Sequence, residues 1–364
     1  MKTIASVFDP KQNSLNAIRL VLAISVIVSH SFAIGMFGAE PQLGGTKLGT
    51  WAVLGFFAIS GFLITGSRMS GKSAFGYYVN RVMRIVPAFV VCLVIVAFVF
   101  APLSLIFDPQ GSWSIVNSVT YFLRNLPLYP PELAQPAIGQ TLQHVPYRGY
   151  WNGSMWTLFW EFSCYIFIGC AVSLSRRLLP AFVAVVFLFT TGVSLAVELG
   201  LIALPDLAGR AAPLIAAFAA GSLAFLFRDR VRFDVMSVGA AIVAIAAVSA
   251  MGVAYSLAAI PLTVILLWLG AVLPLSSVGT HGRADISYGM YIYAWPVQQI
   301  LMLLFGKALG LPGMVVLSIA STIPLAYLSY RLIEKPAQER GRVWAKKYGG
   351  KRAAAPAPDP LPAD

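Results

Sequence analysis

Apolar runs of about 20 residues recur along this chain, and a run of that length with few charges crosses a bilayer as a helix. In lipid every backbone polar group must be paired within the protein, so such runs read as helices rather than open strands. Hydrophobic residues make up 58% of the 364 and charged residues only 11%. The sequence therefore predicts an all-α polytopic membrane protein. About ten transmembrane helices are expected, near residues 15–35, 48–67, 78–101, 153–174, 179–198, 211–227, 235–253, 255–275, 286–305 and 312–333. The eighth is interrupted by Pro261 and Pro274.

Positive charge collects on cytoplasmic loops. With the N-terminus inside, all of the 26 lysines and arginines fall on the cytoplasmic side except Lys47, Arg124, Arg148, Arg210 and Lys307. Both termini are thus expected in the cytoplasm. The first apolar run starts near Leu15 and leads to no small-residue cleavage site, so it reads as a span rather than a signal peptide. The formal charge of +12 comes without the basic and aromatic interleaving of a nucleic-acid surface, and no nucleic-acid partner is expected. Cys92, Cys164 and Cys170 all lie in apolar runs, with neither a disulfide framework nor a metal spacing, and read as buried packing.

The long outer connection, residues 102–152, carries seven prolines and a short apolar piece, Trp113 to Leu128, that reads as interfacial or re-entrant. Residues 337–364 form a basic, Pro/Ala-rich tail whose end reads as disordered. From Leu178 to Leu275 the spans are nearly all aliphatic and read as scaffold. Chemistry belongs to the first four spans, which hold Arg19, His30, Ser60, Arg81, Arg84 and Glu161.

Ionisable groups at membrane depth are costly and face a bundle interior or a substrate path. Arg19 and His30 share one face of the first span, about 20° apart and ~16 Å along its axis. Arg81 and Arg84, at i and i+3, either grip a phosphate or snorkel to headgroups as positive-inside anchors. Glu161 lies ~12 Å inside the fourth span. Its partner is either His30, whose imidazole it would then orient, or a serine, tyrosine or backbone group. Cys164, on the same face, is in apolar surroundings that leave a thiol inert. Gly55, Ser60 and Gly61 suit close helix packing. Tyr288, Tyr291 and Tyr293 line a cavity or sit at an aromatic belt. Arg331 and Glu334 suggest an interfacial salt bridge, with Pro336 closing the last helix. His144 and His281 read as solvated loop histidines.

In this order, Arg19 with ten residues before His30, GFFAISGFLI at 55–64, RVMR at 81–84, SMWTLFWEFSCY at 154–165, SYGMYIYAWP at 287–296 and RLIEKP at 331–336 resemble the integral-membrane acyltransferase-3 family. The resemblance covers residues 12–336. It implies transfer of an acyl group, most often acetyl, from cytoplasmic acyl-CoA to a hydroxyl of a cell-envelope polysaccharide or lipid-linked saccharide. It further implies a multi-pass protein of the bacterial inner membrane, acting beside polysaccharide synthesis machinery and needing no metal. His30 and Glu161 are then the expected catalytic residues, Arg19, Arg81 and Arg84 the acyl-CoA site, and Trp156 and Tyr288 substrate contacts. Many members carry a histidine where this chain has Ala294, and many carry an esterase-like domain after the last span that is not found here. A transporter or flippase of envelope precursors is the alternative, but the paired broken helices or inverted repeats of such proteins are not evident.

Overall fold

The computed structural model describes residues 2–128, 133–278 and 284–349, leaving aside the side chains of residues 206 and 207. His281, Arg283 and residues 350–364, the end of the tail, lie outside the described residues. Seven described stretches are long and apolar enough to cross a membrane. They begin with α1 (Leu15–Gly35), α2 (Leu48–Met69) and α3 (Ala74–Phe107). The short helix α4 (Ile115–Asn125) follows, and then α5 (Trp156–Leu174), α6 (Leu179–Glu198) and α7 (Asp206–Leu226). Two shorter apolar helices, α8 (Val235–Ala250) and α9 (Ala259–Val272), lie where the seventh and eighth spans are expected. The final stretch, Ser287–Tyr348, is composite: α10 (Ser287–Phe305), α11 (Gly310–Ser329) and α12 (Lys335–Tyr348), with a 3₁₀ turn at Gly306–Leu309.

Local sequence explains the breaks. Gly252 at φ 72° ends the run after α8. Leu273 is extended because Pro274 follows it, which stops α9. Two π-turns, Val96–Phe100 within α3 and Tyr330–Glu334 before α12, each stand directly ahead of a helix that carries proline in its first turn. A proline ring collides with the carbonyl four residues back, and widening the preceding turn relieves that collision. Ser118 of α4 donates to Ala97 O within the first π-turn. Pro336 therefore does not close the last helix. The chain continues into α12, which packs on α3.

The first span is central. Helix α1 packs against α2, α9, α10 and α11, so Arg19 and His30 lie among helices rather than against lipid. The closest packing is between α2 and α7, where a Cβ at Gly61 would meet Phe218 O and one at Gly221 would meet Ala58 O. Helix backbones approach this closely only through small residues. Helix α4 falls within the short apolar piece expected to be interfacial or re-entrant. It buries Ser118, Tyr121 and Asn125 and exposes Ile115, Val116, Val119 and Leu123, the inverse of a soluble protein's amphipathic helix.

Two smaller expectations need correction. Arg331 donates to Tyr327 OH at 3.0 Å, and the carboxylate of buried Glu334 accepts from Ser329, so their salt bridge does not form. Their helix is unwound into the π-turn, which moves i and i+3 off a shared face. Cys92 and Cys164 are buried but Cys170 is exposed, on the outward face of α5.

Candidate functional site

His30 stands near the end of α1 and opens into a cavity of about 440 Å³. Its ring meets Trp295 edge-on, with centroids 4.7 Å apart, and its Nδ1 is buried with no hydrogen-bond partner among the described residues. Trp295 is itself fixed by donating to Tyr150 O at 2.9 Å. Gly153 presses on the Trp295 ring, leaving no space for a Cβ there. Gln298, one turn on, donates to Ile27 O and Ser31 Oγ, both at 2.9 Å, and so ties α10 to α1 around the imidazole.

Glu161 is not the partner of His30. Its Oε1 accepts from Ser60 Oγ at 2.8 Å and from Tyr165 OH at 2.5 Å, a knot joining α2 to α5. Of the alternatives open to this carboxylate, the serine and tyrosine bonds are the ones formed. Ser60 thus does more than pack.

At the other end of α1 a second cluster forms. Arg84 Nη2 lies 2.7 Å from Asp285 Oδ2, and Arg19 Nη1 lies 3.6 Å from the same oxygen. Burial by itself would raise the Asp285 carboxyl, but the guanidiniums of Arg84 and Arg19 hold it well below the usual carboxylate range. Asp285 also accepts from Ser287 Oγ at 2.7 Å just ahead of α10. Arg81 is within electrostatic reach of Tyr165, Arg84 and Glu161, and its Nε has no hydrogen-bond partner among the described residues. The structure therefore brings Arg19 and Arg84 together on one acid, Asp285, and keeps Arg81 within electrostatic reach of Arg84, its neighbour at i and i+3. Contacts lead from this cluster toward His30: Arg19 lies 5.9 Å from the Phe56 ring centroid, and Phe56 lies 5.7 Å from the Tyr291 ring. Tyr291, bonded to Thr157 at 2.7 Å, lines the His30 cavity.

Trp156 also lines that cavity, but Tyr288 does not: it is buried and donates to Ile85 O at 3.0 Å. Tyr288 and Tyr291, at i and i+3 of α10, share a face, and the rise of about 4.5 Å between them leaves only Tyr291 level with the cavity. The supposed scaffold contributes as well, since Glu198, Arg210, Leu214 and Tyr255 are cavity residues. His144 is not simply solvated, for its Nδ1 pairs with Asp108 Oδ1 at 2.7 Å. Among the described residues no group of three His, Cys, Asp or Glu could hold a metal ion.

Sequence reasoning passes over Glu40, Thr46, Ser154, Glu198 and Asp285. Asp285 has a legible signal: acids number only 14 in the chain, and this one stands two residues ahead of SYGMYIYAWP. Glu40 and Thr46 have none, because a two-stranded hairpin folds them back. Its strands, β1 (Gln42–Leu43) and β2 (Thr46–Lys47), pair Leu43 with Thr46. Gly44 and Gly45 supply the positive φ values of 59° and 75° that the two-residue turn requires.

Comparison with known proteins yields a family match and two full-length relatives. A family described as "Acyltransferase domain" matches residues 12–331. The chain is 31% identical over 349 residues to the "O-acetyl transferase" of Shigella phage Sf6, covering 89% of this chain and 96% of that one. It is 27% identical over 370 residues to "Nodulation protein 10" of Rhizobium leguminosarum bv. viciae, covering 90% and 94% respectively. No solved structure matches it significantly.

Proposed function

The chain belongs to the acyltransferase-3 family and is an O-acetyltransferase, and from that premise we propose that it moves an acetyl group from acyl-CoA at the cytoplasmic face to a hydroxyl of an envelope polysaccharide or lipid-linked saccharide at the outer face of a bacterial inner membrane. Membership of this family sets the transporter alternative aside. The observation that carries the reading is the two-ended character of α1, with Arg19 in an arginine cluster near one end and His30 in a polar cavity near the other.

In this mechanism the donor phosphates engage Arg19, Arg81 and Arg84 by charge-assisted hydrogen bonds and take over part of the pairing now made by Asp285. The flexible pantetheine arm carries the thioester past Phe56 and Tyr291 to His30, which turns a bimolecular encounter into a local one. The imidazole accepts the proton of the acceptor hydroxyl as that oxygen attacks the thioester carbonyl. The carbon–oxygen bond forms, the carbon–sulfur bond breaks, and the proton passes from imidazolium to the departing CoA thiolate. An acyl-imidazole on His30, later captured by the acceptor, uses the same groups in two steps. Glu161 acts in neither route on His30 directly; it holds α2 and α5 in register.

The test is the O-acetyl proton content of envelope polysaccharide, measured by NMR in a strain lacking the chain and then complemented with wild type or His30→Ala. Restoration by wild type alone supports the reading. Equal restoration by both sinks the role of His30, and unchanged glycan in every strain sinks the saccharide acceptor.

A further inference from the structure

Buried polar atoms without partners are scarce in folded proteins, and each one calls for an explanation. Among the described residues, three such atoms border the His30 cavity: His30 Nδ1, Thr46 Oγ1 and Ser154 Oγ. Thr46 is 4% exposed and Ser154 is 1% exposed, so bulk water does not satisfy their hydroxyls. Glu40 borders the same space with a side chain only 10% exposed. Its Oε1 is committed to Ser29 Oγ and to Gly49 N, while Oε2 has only Lys47 Nζ, 4.0 Å away. One carboxylate oxygen is thus anchored, and the other keeps acceptor capacity to spare on a residue that lines the cavity. Glu198, also on the lining, is held by Ser256, and the two carboxylates are matched in number by two cations, Lys47 and Arg210.

We propose that this cavity is a subsite for one neutral saccharide ring, whose hydroxyls are taken by Glu40, Thr46 and Ser154 so that a single hydroxyl is presented to His30. The inference rests on the acyl-transfer reading above and adds the chemical class of the acceptor and the residues that select its hydroxyl. Unpaired hydroxyls and a half-free carboxylate match a polyol, which both donates and accepts at closely spaced positions. The balanced charge at the wall disfavours an anionic sugar, which would bring an unmatched negative charge against two carboxylates. Trp156 and Tyr291 supply apolar faces beside the polar groups, the usual composition of a small-ligand site. The volume, about 440 Å³, lies within the range of such sites. A hydroxyl bound by Glu40 fixes the ring's rotation, so Glu40 decides which neighbouring hydroxyl meets the imidazole.

The experiment uses the full chain in a detergent without a sugar headgroup. Saturation-transfer NMR is run with glucose, galactose, rhamnose and N-acetylglucosamine, with glycerol and glucuronate as controls. Transfer kinetics are measured in parallel on Thr46→Val, Ser154→Ala and Glu40→Gln. Wild type is expected to show saturation transfer to at least one neutral sugar and not to glucuronate, and the signal is expected to fade in the variants. In transfer assays the acceptor KM is expected to rise roughly tenfold or more for each variant, with the acyl-CoA KM within about twofold of wild type, because the lost bonds leave buried groups unpaired only toward the acceptor. Glu40→Gln is further expected to change the position acetylated, read from the carbon shifts of the product.

Acceptor KM values within about twofold of wild type in all three variants overturn the proposal, as do parallel changes in both KM values, which indicate a structural role. Preferential binding of glucuronate overturns the neutral class. Wild type that binds a neutral sugar yet acetylates no saccharide refutes the transfer reading while the sugar site stands. Wild type that acetylates saccharides while the variants match it refutes the sugar site alone.

Discussion

Arg84 and Asp285 are 201 positions apart in the sequence and 2.7 Å apart in the fold. They join the start of α10 to α3, and Arg19 reaches the same carboxylate oxygen from α1 at 3.6 Å. Helix α10 then runs from this cluster to Trp295, which touches His30. One rigid helix thus links the arginine cluster to the imidazole.

Replacing Asp285 by Asn leaves two guanidiniums without their shared counter-charge. Breaking a buried pair by removing one partner costs about 3–5 kcal/mol, so the purified variant is expected to melt well below wild type. Added CoA, whose phosphates replace the missing charge, is expected to raise its melting temperature more than that of wild type. An equal CoA shift in both proteins would separate Asp285 from the donor site.

The pH dependence of this pair has a definite sign. The folded-state carboxyl of Asp285 lies below its unfolded value, so its stabilisation is fully present above roughly pH 4 and is lost as pH falls through the folded value. Wild-type melting is therefore expected to receive a constant contribution from Asp285 between about pH 5 and 8. Comparing wild type with Asp285→Asn across that range checks this, and a gap that narrows between pH 8 and 5 would contradict it.

Arg84→Ala removes a guanidinium from the proposed phosphate site. The acyl-CoA KM is expected to rise about tenfold or more while the acceptor KM changes little. Steady-state kinetics with each substrate varied in turn decides the matter. Equal effects on both would make Arg84 a structural tie between α3 and α10.

Glu161 bonds Ser60 and Tyr165 rather than His30, and its variants should behave accordingly. Glu161→Gln keeps the shape of the knot and is expected to retain far more activity than His30→Ala, which forfeits general-base catalysis of about 10²–10⁴-fold. Glu161→Ala is expected to lose stability by about 1–3 kcal/mol, because it strands two buried hydroxyls. A cycle with Ser60→Ala should be non-additive, since the two groups share a bond.

Gly61 and Gly221 set the approach of α2 and α7. A Cβ at either meets a backbone carbonyl of the opposite helix, which cannot yield as a side chain would. Gly61→Val is expected to destabilise the protein by about 2 kcal/mol or more, by overpacking. Melting of the purified variant checks this, and wild-type stability would mean that the helices can part without loss.

The sequence by itself determined the helical membrane class, the family, and the pairing of Arg19 with His30 on one helix face. Each follows from local quantities: run length, helical period, and the cost of charge at depth. It also placed Arg81 and Arg84 together, because i and i+3 are neighbours on any helix. Tertiary structure alone decided the partners. Glu161 chose Ser60 and Tyr165, Arg84 chose Asp285, and Glu40, Thr46, Ser154 and Glu198 converged on His30 from elements spread over more than 150 positions. A membrane interior offers each polar group few partners, so the choice depends on which helix faces meet and at what height. That is fixed by contacts such as Gly61 against Phe218 and by the turn at Gly44 and Gly45, which no periodicity along a single helix encodes.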